Sequence, residues 1–255
     1  MVTNQIEVNE LVQRGAIFYV SHSGGKDSQA MYLSVSKIVP KEQIVVVHAD
    51  LGEVEWTGTQ THIKETIDHH LNVVWAIKKD GTRNYLLDMV LDRHEKRPDS
   101  PAWPSSSQRY CTSGLKRGPL EKFIRHDLKK RGKTLAVNCM GLRAQESPSR
   151  AKKDTLTLNE RLSLAGREIY DWLPIHTLTT DEVFQLIADN DQAPHWAYQQ
   201  GNERLSCVFC IFGSANDLKN GAKHRPELAE KYITLEQLLG KSMFYKSTLA
   251  EKLKA

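Results

Sequence analysis

The chain has 255 residues, of which 40% are hydrophobic and 26% charged, and its formal net charge is +4. These values are ordinary for a soluble globular protein, and no run approaches the ~20 apolar residues that a membrane span needs. The polar N-terminal stretch is unlike a signal peptide, and four cysteines in such a chain favour cytoplasmic thiols or metal ligands over a disulfide framework. The mild positive charge fits a polyanionic partner and equally a nucleotide-binding enzyme.

Short apolar runs alternate with segments of helical spacing from residue 16 onward. In chain order, we predict strands at residues 16–20, 44–48, 72–77 and 133–140. We predict helices at residues 28–39, 59–70, 84–94, 118–130 and 181–189. Because strands that alternate with helices form a parallel sheet covered on both faces, the pattern predicts an α/β fold with a doubly wound, mainly parallel sheet.

The later part of the chain departs from this alternation. Residues 96–108 are rich in proline and serine, which predicts a loop and a candidate lid. Thr180 is the predicted N-cap of the helix at residues 181–189. From residue 192 the pattern changes to loops and helices. We therefore predict one α/β domain over residues 1–190 and a helical, cysteine-containing extension over residues 191–255.

The segment SHSGGKDS, residues 21–28, joins the first predicted strand to the first predicted helix. A strand, a glycine turn and a helix start together aim backbone N–H groups at an anion. Gly24 and Gly25 allow a tight turn, and Lys26 adds a positive charge. Three hydroxyls can donate to phosphate oxygens, those of Ser21, Ser23 and Ser28. The alternative is an ordinary strand-to-helix turn, which often contains glycine and serine.

The order SGGKDS fits neither GxxxxGK[ST] nor GxGxxG, and it resembles the motif of the PP-loop ATP pyrophosphatases. The resemblance implies an adenine nucleotide alpha hydrolase-like fold, ATP with Mg²⁺, and cleavage at the α-phosphorus with release of pyrophosphate. It assigns the β- and γ-phosphates to the loop and makes Lys26, Asp27 and Ser28 the catalytic residues. Asp27 has an alternative role at the start of the helix, where an acidic side chain favours the dipole.

Two further stretches resemble the phosphoadenylyl-sulfate (PAPS) reductase branch of that family. In VVHADLGEVEW, Asp50 and Gly52 stand where that branch has Asp-Thr-Gly, which implies that they line the nucleotide. GLRAQESPSR resembles the arginine loop GxRxxxSxxR, which implies that Arg143 and Arg150 approach the phosphates. The alternative for Asp50 is a solvated acidic loop, and the alternative for Arg143 and Arg150 is a basic surface loop.

The cysteines resemble part of the ligand set of the iron–sulfur members of this branch. YCTSGLKRGPL resembles their CCxxRKxxPL stretch, with Cys111 at the first cysteine and Thr112 in place of the second. RLSCVFC supplies Cys207 and Cys210 at CxxC spacing, which suits a [4Fe–4S] cluster or zinc. His195 is the candidate for a fourth ligand. The alternative is three packed thiols without a metal.

The downstream sequence separates the functional alternatives. Reductases of this branch carry a C-terminal Glu-Cys-Gly-Leu-His segment with the attacking thiol, whereas this chain has no cysteine after Cys210. We therefore predict an ATP pyrophosphatase that activates a nucleic-acid phosphate for sulfur insertion, as in DNA phosphorothioation of the Dnd and Ssp type. The alternatives are a PAPS or adenylyl-sulfate reductase, a tRNA thiolation enzyme and a non-catalytic nucleotide-binding subunit.

The preferred function implies several partners. They are DNA, a cysteine desulfurase or other sulfur donor, further subunits of a modification system and a second copy in a homodimer. A basic track for nucleic acid is predicted along six residues: Lys116, Arg117, Lys122, Lys129, Lys130 and Arg131. Its alternative is a solvated helix face.

Overall fold

The computed structural model describes residues 2–254, and the side chains of residues 7–254. The chain forms two compact units. The first, called unit 1 below, contains residues 2–48, 59–74 and 120–195, and the second, unit 2, contains residues 49–58, 75–119 and 196–254. The sequence predicted a division at residue 190, whereas two earlier segments of the chain group with the C-terminal one.

Unit 1 is built on a six-stranded sheet with the order β3-β2-β1-β4-β6-β5. The strands are β1 (Ile17–Ser21), β2 (Ile44–Ala49), β3 (Leu71–Val74), β4 (Leu135–Cys139), β5 (Leu156–Leu158) and β6 (Glu168–Trp172). β1 pairs in parallel with β2 and β4, β4 pairs in parallel with β6, and β5 is antiparallel to β6. The four predicted strands are confirmed as β1 to β4, and the sequence reasoning missed β5 and β6.

The helices are α1 (Val2–Gln13), α2 (Lys26–Ser36), α3 (Thr59–Thr66), α4 (Leu86–Lys96), α5 (Gly118–Lys130), α6 (Pro148–Ala151), α7 (Thr180–Ala188), α8 (Ala215–His224), α9 (Pro226–Leu239) and α10 (Leu249–Lys254). All five predicted helices are present. α3 ends at Thr66 instead of residue 70, because the Thr66 hydroxyl donates to the His62 carbonyl (2.9 Å) and the Asp68 N–H donates to the Tyr32 hydroxyl (2.8 Å).

Thr179, and not Thr180 as predicted, caps α7. The Thr179 hydroxyl accepts from the Glu182 N–H at 3.3 Å, and the Glu182 carboxylate accepts from the Thr179 N–H at 2.7 Å. This is a complete capping box. The Thr180 hydroxyl instead accepts from Arg143 at 3.2 Å.

Hydrophobic side chains cover both faces of the unit 1 sheet. Along β1, Phe18 points to one face, where its ring lies 6.0 Å from that of Trp172, and Tyr19 points to the other, where its ring lies 6.3 Å from that of Phe123. Both side chains are fully buried. A strand that is apolar on both faces is typical of a parallel sheet with helices on each side, so the predicted doubly wound fold is confirmed.

Unit 2 has its own core, formed by α4, α8, α9, α10 and the segments between them. The Trp103 ring stacks on the Tyr232 ring at 5.5 Å, and the Trp103 indole N–H donates to the Lys241 carbonyl at 2.9 Å. Trp103 belongs to the predicted proline- and serine-rich loop, so the middle of this loop is anchored in a core, unlike a free lid. Among residues 2–254, no helix combines the length and apolar character that a membrane span requires.

Candidate functional site

The glycine loop leads directly from β1 into α2. Gly24 has φ +78°, a left-handed conformation that favours glycine, and Gly25 is the N-cap. The first helical hydrogen bond runs from the Gln29 N–H to the Gly25 carbonyl at 3.0 Å. The N–H groups of a first helical turn have no acceptor within the helix, and the dipole makes this end positive. The loop therefore has the backbone geometry of an anion-binding site.

Internal hydrogen bonds fix the shape of this loop. Ser28 Oγ accepts from the Ser23 N–H at 3.1 Å and donates to the Gly25 carbonyl at 2.8 Å. The Ser23 hydroxyl in turn donates to Ser28 Oγ at 3.3 Å. In this arrangement the Ser28 proton is held by the loop itself, so Ser28 shapes the turn.

His22 is buried beneath the loop. Its Nδ1 accepts from the Gly24 N–H at 3.1 Å, and its carbonyl accepts from His48 Nδ1 at 2.9 Å. Burial lowers the pKa of His22 to about 3, and the neighbouring His48 and His62 act in the same direction. The imidazole is therefore neutral near pH 7 and serves as a hydrogen-bond acceptor for the turn.

The charged residues of the loop form a buried chain. Lys26 is only 5% exposed, and its Nζ lies 3.4 Å from the Asp27 carboxylate and 5.9 Å from the centre of the Phe184 ring. The other Asp27 oxygen accepts from Arg143 Nε at 2.7 Å. Asp27 thus lies between two cations, and the group has one excess positive charge, which favours an anionic ligand.

Arg143 connects three segments of unit 1. Besides Asp27, its guanidinium donates to the Gln145 side chain at 2.8 Å, the Leu178 carbonyl at 3.3 Å and the Thr180 hydroxyl at 3.2 Å. It is 4% exposed. The sequence predicted that Arg143 approaches phosphates. In the structure, its N–H groups donate to protein acceptors around the start of α2 instead.

Gly141 brings the two loops into direct contact. A Cβ atom at this position would lie 2.9 Å from the Asp27 carbonyl oxygen, closer than such atoms approach. A side chain would therefore push the 141–146 loop away from the first turn of α2. Arg150, the second arginine of the predicted arginine loop, forms an ion pair with Glu146.

Asp50 and Gly52 lie in unit 2. One Asp50 oxygen accepts from the Gly52 N–H and from Arg83 Nη2, each at 2.7 Å. Gly52 has φ +70°, and a Cβ there would lie 2.8 Å from a Tyr85 ring carbon. The predicted nucleotide ligand Asp50 is thus held in a tight turn by a neighbouring arginine.

A polar network behind α2 was not apparent in the sequence. The fully buried Gln29 side chain donates to Gln192 at 2.8 Å and to the Ala193 carbonyl at 3.1 Å, and its oxygen lies 3.3 Å from His62 Nε2. The His62 ring packs edge-on against His195 at 5.2 Å. No local motif in the sequence signals these contacts, because they join residues more than thirty positions apart.

The three cysteines of the predicted ligand set line one small cavity in unit 2, of about 20 Å³. The Cys207 thiol donates to Cys210, which lowers the pKa of Cys210, and nearby Lys116 acts in the same direction. Among the described residues, the sulfurs of Cys111, Cys207 and Cys210 do not all lie within 4.8 Å of one another. Of the three, Cys207 and Cys210 are thus the pair in direct contact.

Tyr232 adds an unpaired polar group to the thiol cavity. Its side chain is fully buried, and within residues 7–254 its hydroxyl has no hydrogen-bond partner. Burial raises the pKa of Tyr232, and the three thiols act in the same direction. A buried hydroxyl without a partner is unusual and fits a cavity that holds a further acceptor. Three thiols and one unpaired hydroxyl therefore face the same small cavity.

Residues 17–212 match the sequence profile of the phosphoadenosine phosphosulfate reductase domain. The chain belongs to this family. The match confirms the predicted reductase branch and places the protein among nucleotide-processing enzymes.

Two curated relatives are proteins without an assigned activity. The chain is 27% identical to an uncharacterized 37.8 kDa protein of Escherichia phage 186, over 90% of this chain and 79% of that protein. It is 26% identical to an uncharacterized protein of Methanocaldococcus jannaschii, over 86% of this chain and 47% of that protein. The chain thus spans about half the length of the archaeal relative.

Among solved structures, the protein is similar to PAPS reductase from Candida auris in a phosphate complex. The TM-score is 0.48 at 16% identity, over 78% of this chain and 87% of that one. It is also similar to FMN adenylyltransferase from Candida glabrata in complex with FAD and inorganic pyrophosphate. There the TM-score is 0.45 at 13% identity, over 76% of this chain and 55% of that one.

The buried neutral His22 makes stability depend on pH. Its pKa is about 3 in the folded chain, against an ordinary 6.5, so the unfolded chain binds more protons between these values. This contribution is complete above pH 6.5 and is lost as the pH falls, by at most about 1.4 kcal/mol per pH unit. We expect His22→Asn, which keeps a hydrogen-bond acceptor, to flatten the pH dependence of the free energy of unfolding between pH 7 and 5, measured with urea. The exposed His70→Asn is the control, and equal slopes in wild type and His22→Asn would contradict the assignment.

Arg143→Gln removes the donor to Asp27 and takes one donor from acceptors in three segments. We expect the free energy of unfolding to fall by about 2–3 kcal/mol, because charged hydrogen bonds of this kind contribute ~1.5–3 kcal/mol. Arg150→Gln removes only a partly exposed ion pair and should cost less than about 1 kcal/mol. Urea denaturation of both variants makes the comparison, and equal losses would show that the Arg143 contacts do not hold the loop.

Proposed function

We propose that the loop of residues 21–28 binds the phosphates of an adenine nucleotide and that the protein cleaves ATP to AMP and pyrophosphate. The observation that carries this proposal is the loop itself. A glycine turn at the positive end of α2 contains a buried lysine, and its shape is fixed by hydrogen bonds within the loop. A site that is already in its binding shape needs no reorganisation when charge develops on the leaving group.

The charges of the loop suit a pyrophosphate leaving group. Lys26 and the first-turn N–H groups stabilise negative charge that moves onto the β-phosphate as the bond to the α-phosphorus breaks. Asp27, held by Lys26 and Arg143, keeps both cations in place. Mg²⁺ bound to the nucleotide would neutralise further phosphate charge.

We further propose that the attacking group is an oxygen of a nucleic-acid phosphate. A bond forms between this oxygen and the α-phosphorus, and the bond from the α-phosphorus to the bridging oxygen of pyrophosphate breaks. The terminal sulfur of a donor cysteine persulfide then attacks the nucleic-acid phosphorus, the bond from that phosphorus to the activated oxygen breaks, and AMP leaves with that oxygen. A thiol reductant cleaves the remaining S–S bond and leaves the sulfur on phosphorus. DNA, a cysteine desulfurase or other sulfur donor, further subunits and a second copy of this chain are the partners of this proposal, which rests on the resemblance to Dnd- and Ssp-type enzymes.

A second candidate function is reduction of PAPS or adenylyl sulfate. The family match over residues 17–212 supports this reaction more directly than it supports cleavage of ATP. In such a reaction a thiolate attacks the sulfonate sulfur, the adenosine phosphate leaves, and a thiol reductant then releases sulfite.

One set of reactions separates these functions. The purified protein is incubated with Mg²⁺ and ATP, with and without DNA, and separately with PAPS or adenylyl sulfate plus a thiol reductant. We expect AMP and pyrophosphate from ATP. ADP as the product would overturn the proposal, whereas sulfite from either sulfonucleotide, without AMP formation from ATP, would establish the reductase instead.

Lys26→Ala tests the role of the loop. Removing one preorganised charge at a leaving group costs about 10²–10³-fold in rate, so AMP formation should fall by at least ~100-fold. Lys37→Ala removes an exposed lysine at the opposite end of α2 and should leave the rate unchanged. Product formation is measured by chromatography of the nucleotides, and retention of activity in Lys26→Ala would place the phosphates elsewhere.

We also propose that the thiolates of Cys111, Cys207 and Cys210 hold an iron–sulfur cluster. Such a cluster would stabilise the fold of unit 2 or transfer electrons. Anaerobically purified protein should contain iron and absorb broadly in the visible range. Cys207→Ser should lose both properties, while Cys139→Ser, which changes a fully buried cysteine of β4, should keep them. Iron and zinc both absent from the anaerobic wild type would leave the three thiols as packing residues.

A further inference from the structure

A second cavity in unit 2 is lined by a cluster of arginines. It is open, has a volume of about 670 Å³ and contains the side chains of Arg93, Arg97, Arg109 and Arg117, together with those of Thr112 and Ser113. None of the described residues that line it is acidic. We call this cavity the arginine pocket.

The position of the arginines is only partly explained by helix stability. Arg93 lies in the last turn of α4, where cations favour the dipole, and Arg97 is its C-cap residue. Arg109 and Arg117 come from other segments. Within residues 7–254, no carboxylate forms an ion pair with Arg93, Arg97 or Arg109. Like charges that converge without a carboxylate repel one another, and a bound anion would relieve this repulsion.

Part of the arginine pocket is already ordered for binding. The Arg93 guanidinium stacks on the Tyr110 ring at 4.4 Å and donates to the Gln108 side chain at 2.9 Å. The Tyr110 hydroxyl donates to the Ala102 carbonyl at 2.6 Å, so the ring is fixed in turn. A guanidinium presents a planar fork that matches two phosphate oxygens, and a fixed fork loses less entropy on binding.

An exposed aromatic ring adjoins the arginines. The Arg109 guanidinium lies 5.1 Å from the centre of the Phe212 ring, which is 40% exposed. Exposed aromatic rings beside cationic side chains bind unpaired bases, because the ring stacks on the base while the cations contact the backbone. Bases in a duplex are already stacked and cannot reach such a ring.

The arginine pocket and the thiol cavity share one segment of chain. Tyr110 and Thr112 line the pocket, and Cys111 between them lines the cavity with the other two thiols. Thr112 therefore stands where the resemblance expects a cysteine and contributes a hydroxyl to the arginine pocket. Its hydroxyl can donate to a phosphate oxygen.

We propose that the arginine pocket binds the backbone of a single nucleic-acid strand, with a base stacked on Phe212. This inference rests on the proposed function, since the strand is the phosphate substrate of that reaction. It replaces most of the predicted basic track, of which only Arg117 lines the pocket. Arg131, another member of that track, is neutralised by an ion pair with Asp127 at 2.6 Å.

Binding of a fluorescently labelled single-stranded oligodeoxynucleotide, measured by anisotropy without ATP, tests the proposal. Arg97→Gln with Arg109→Gln changes two exposed arginines and should weaken binding at least tenfold. It should also lower the slope of log affinity against log salt by about 1.4, which is ~0.7 for each lost phosphate contact on a single strand. Phe212→Ala should weaken binding at least about fivefold.

Lys129→Gln with Lys130→Gln removes two exposed lysines of α5 and is the matched control, for which we expect unchanged affinity. A loss confined to this control, tighter binding of a duplex than of the single strand, or equal binding of polyglutamate would each overturn the proposal. AMP formation from ATP is measured on the wild type and the same variants, both with the strand and, as hydrolysis by water, without it. Loss of strand binding with intact AMP formation locates the strand, whereas strand binding without any AMP formation refutes the proposed reaction alone.

Discussion

The partly buried ion pair between Asp27 and Arg143 is the contact on which the geometry of unit 1 depends. β1 and β4 are neighbours at the centre of the sheet, and the loops that follow them meet at this pair. From β1 the chain passes through α2 to β2 on one side of β1, whereas β4 pairs with β1 on the other side. Where the strand order reverses in this way, a crevice opens at the carboxyl ends of β1 and β4. The ion pair lies in that crevice and fixes how far the two loops can separate.

A buried ion pair contributes less to stability than its charges suggest, because both groups lose their hydration. Arg143 offsets this loss by donating to four acceptors from three segments. Its effect is therefore mainly on geometry, since it holds the start of α2 against the start of α7. The loop of residues 21–28 is positioned by the sheet and by the Arg143 side chain, more than one hundred residues away in sequence.

The sequence predicted the parts of the fold that depend on local patterns. The apolar run of β1, the glycine turn and the helix α5 with proline in its first turn are each indicated by residues adjacent in sequence, and each is present. The sequence did not predict the short strand β5, whose residues are largely exposed and which has only three positions. It placed the cap of α7 one residue late, although of the two adjacent threonines only Thr179 has a glutamate three positions later, as the capping box requires.

In the candidate site, too, features that depend on adjacent residues were predicted and features that depend on distant residues were not. The loop of residues 21–28 was found from its composition, whereas the acceptors of Arg143 and the buried Gln29 network depend on residues distant in sequence. The arginine pocket was not predicted because its members come from α4, from the following loop and from the turn at residues 112–117. Basic residues that are adjacent in sequence, such as Lys129 and Lys130, form a visible run. The arginines of the pocket are separated in sequence and come together only when the chain folds.

Close packing at Gly141 restricts the movement of the loop of residues 21–28. Its backbone lies so close to the Asp27 carbonyl that no space remains for even one added carbon atom. The two segments cannot move closer together, and the Arg143–Asp27 ion pair resists their separation, so a shift in one segment is followed by the other. A group that displaces the 141–146 segment, such as a ligand drawn to Arg150, would therefore change the aim of the first N–H groups of α2. Backbone packing, without any moving side chain, would then couple occupancy of one loop to the affinity of the other.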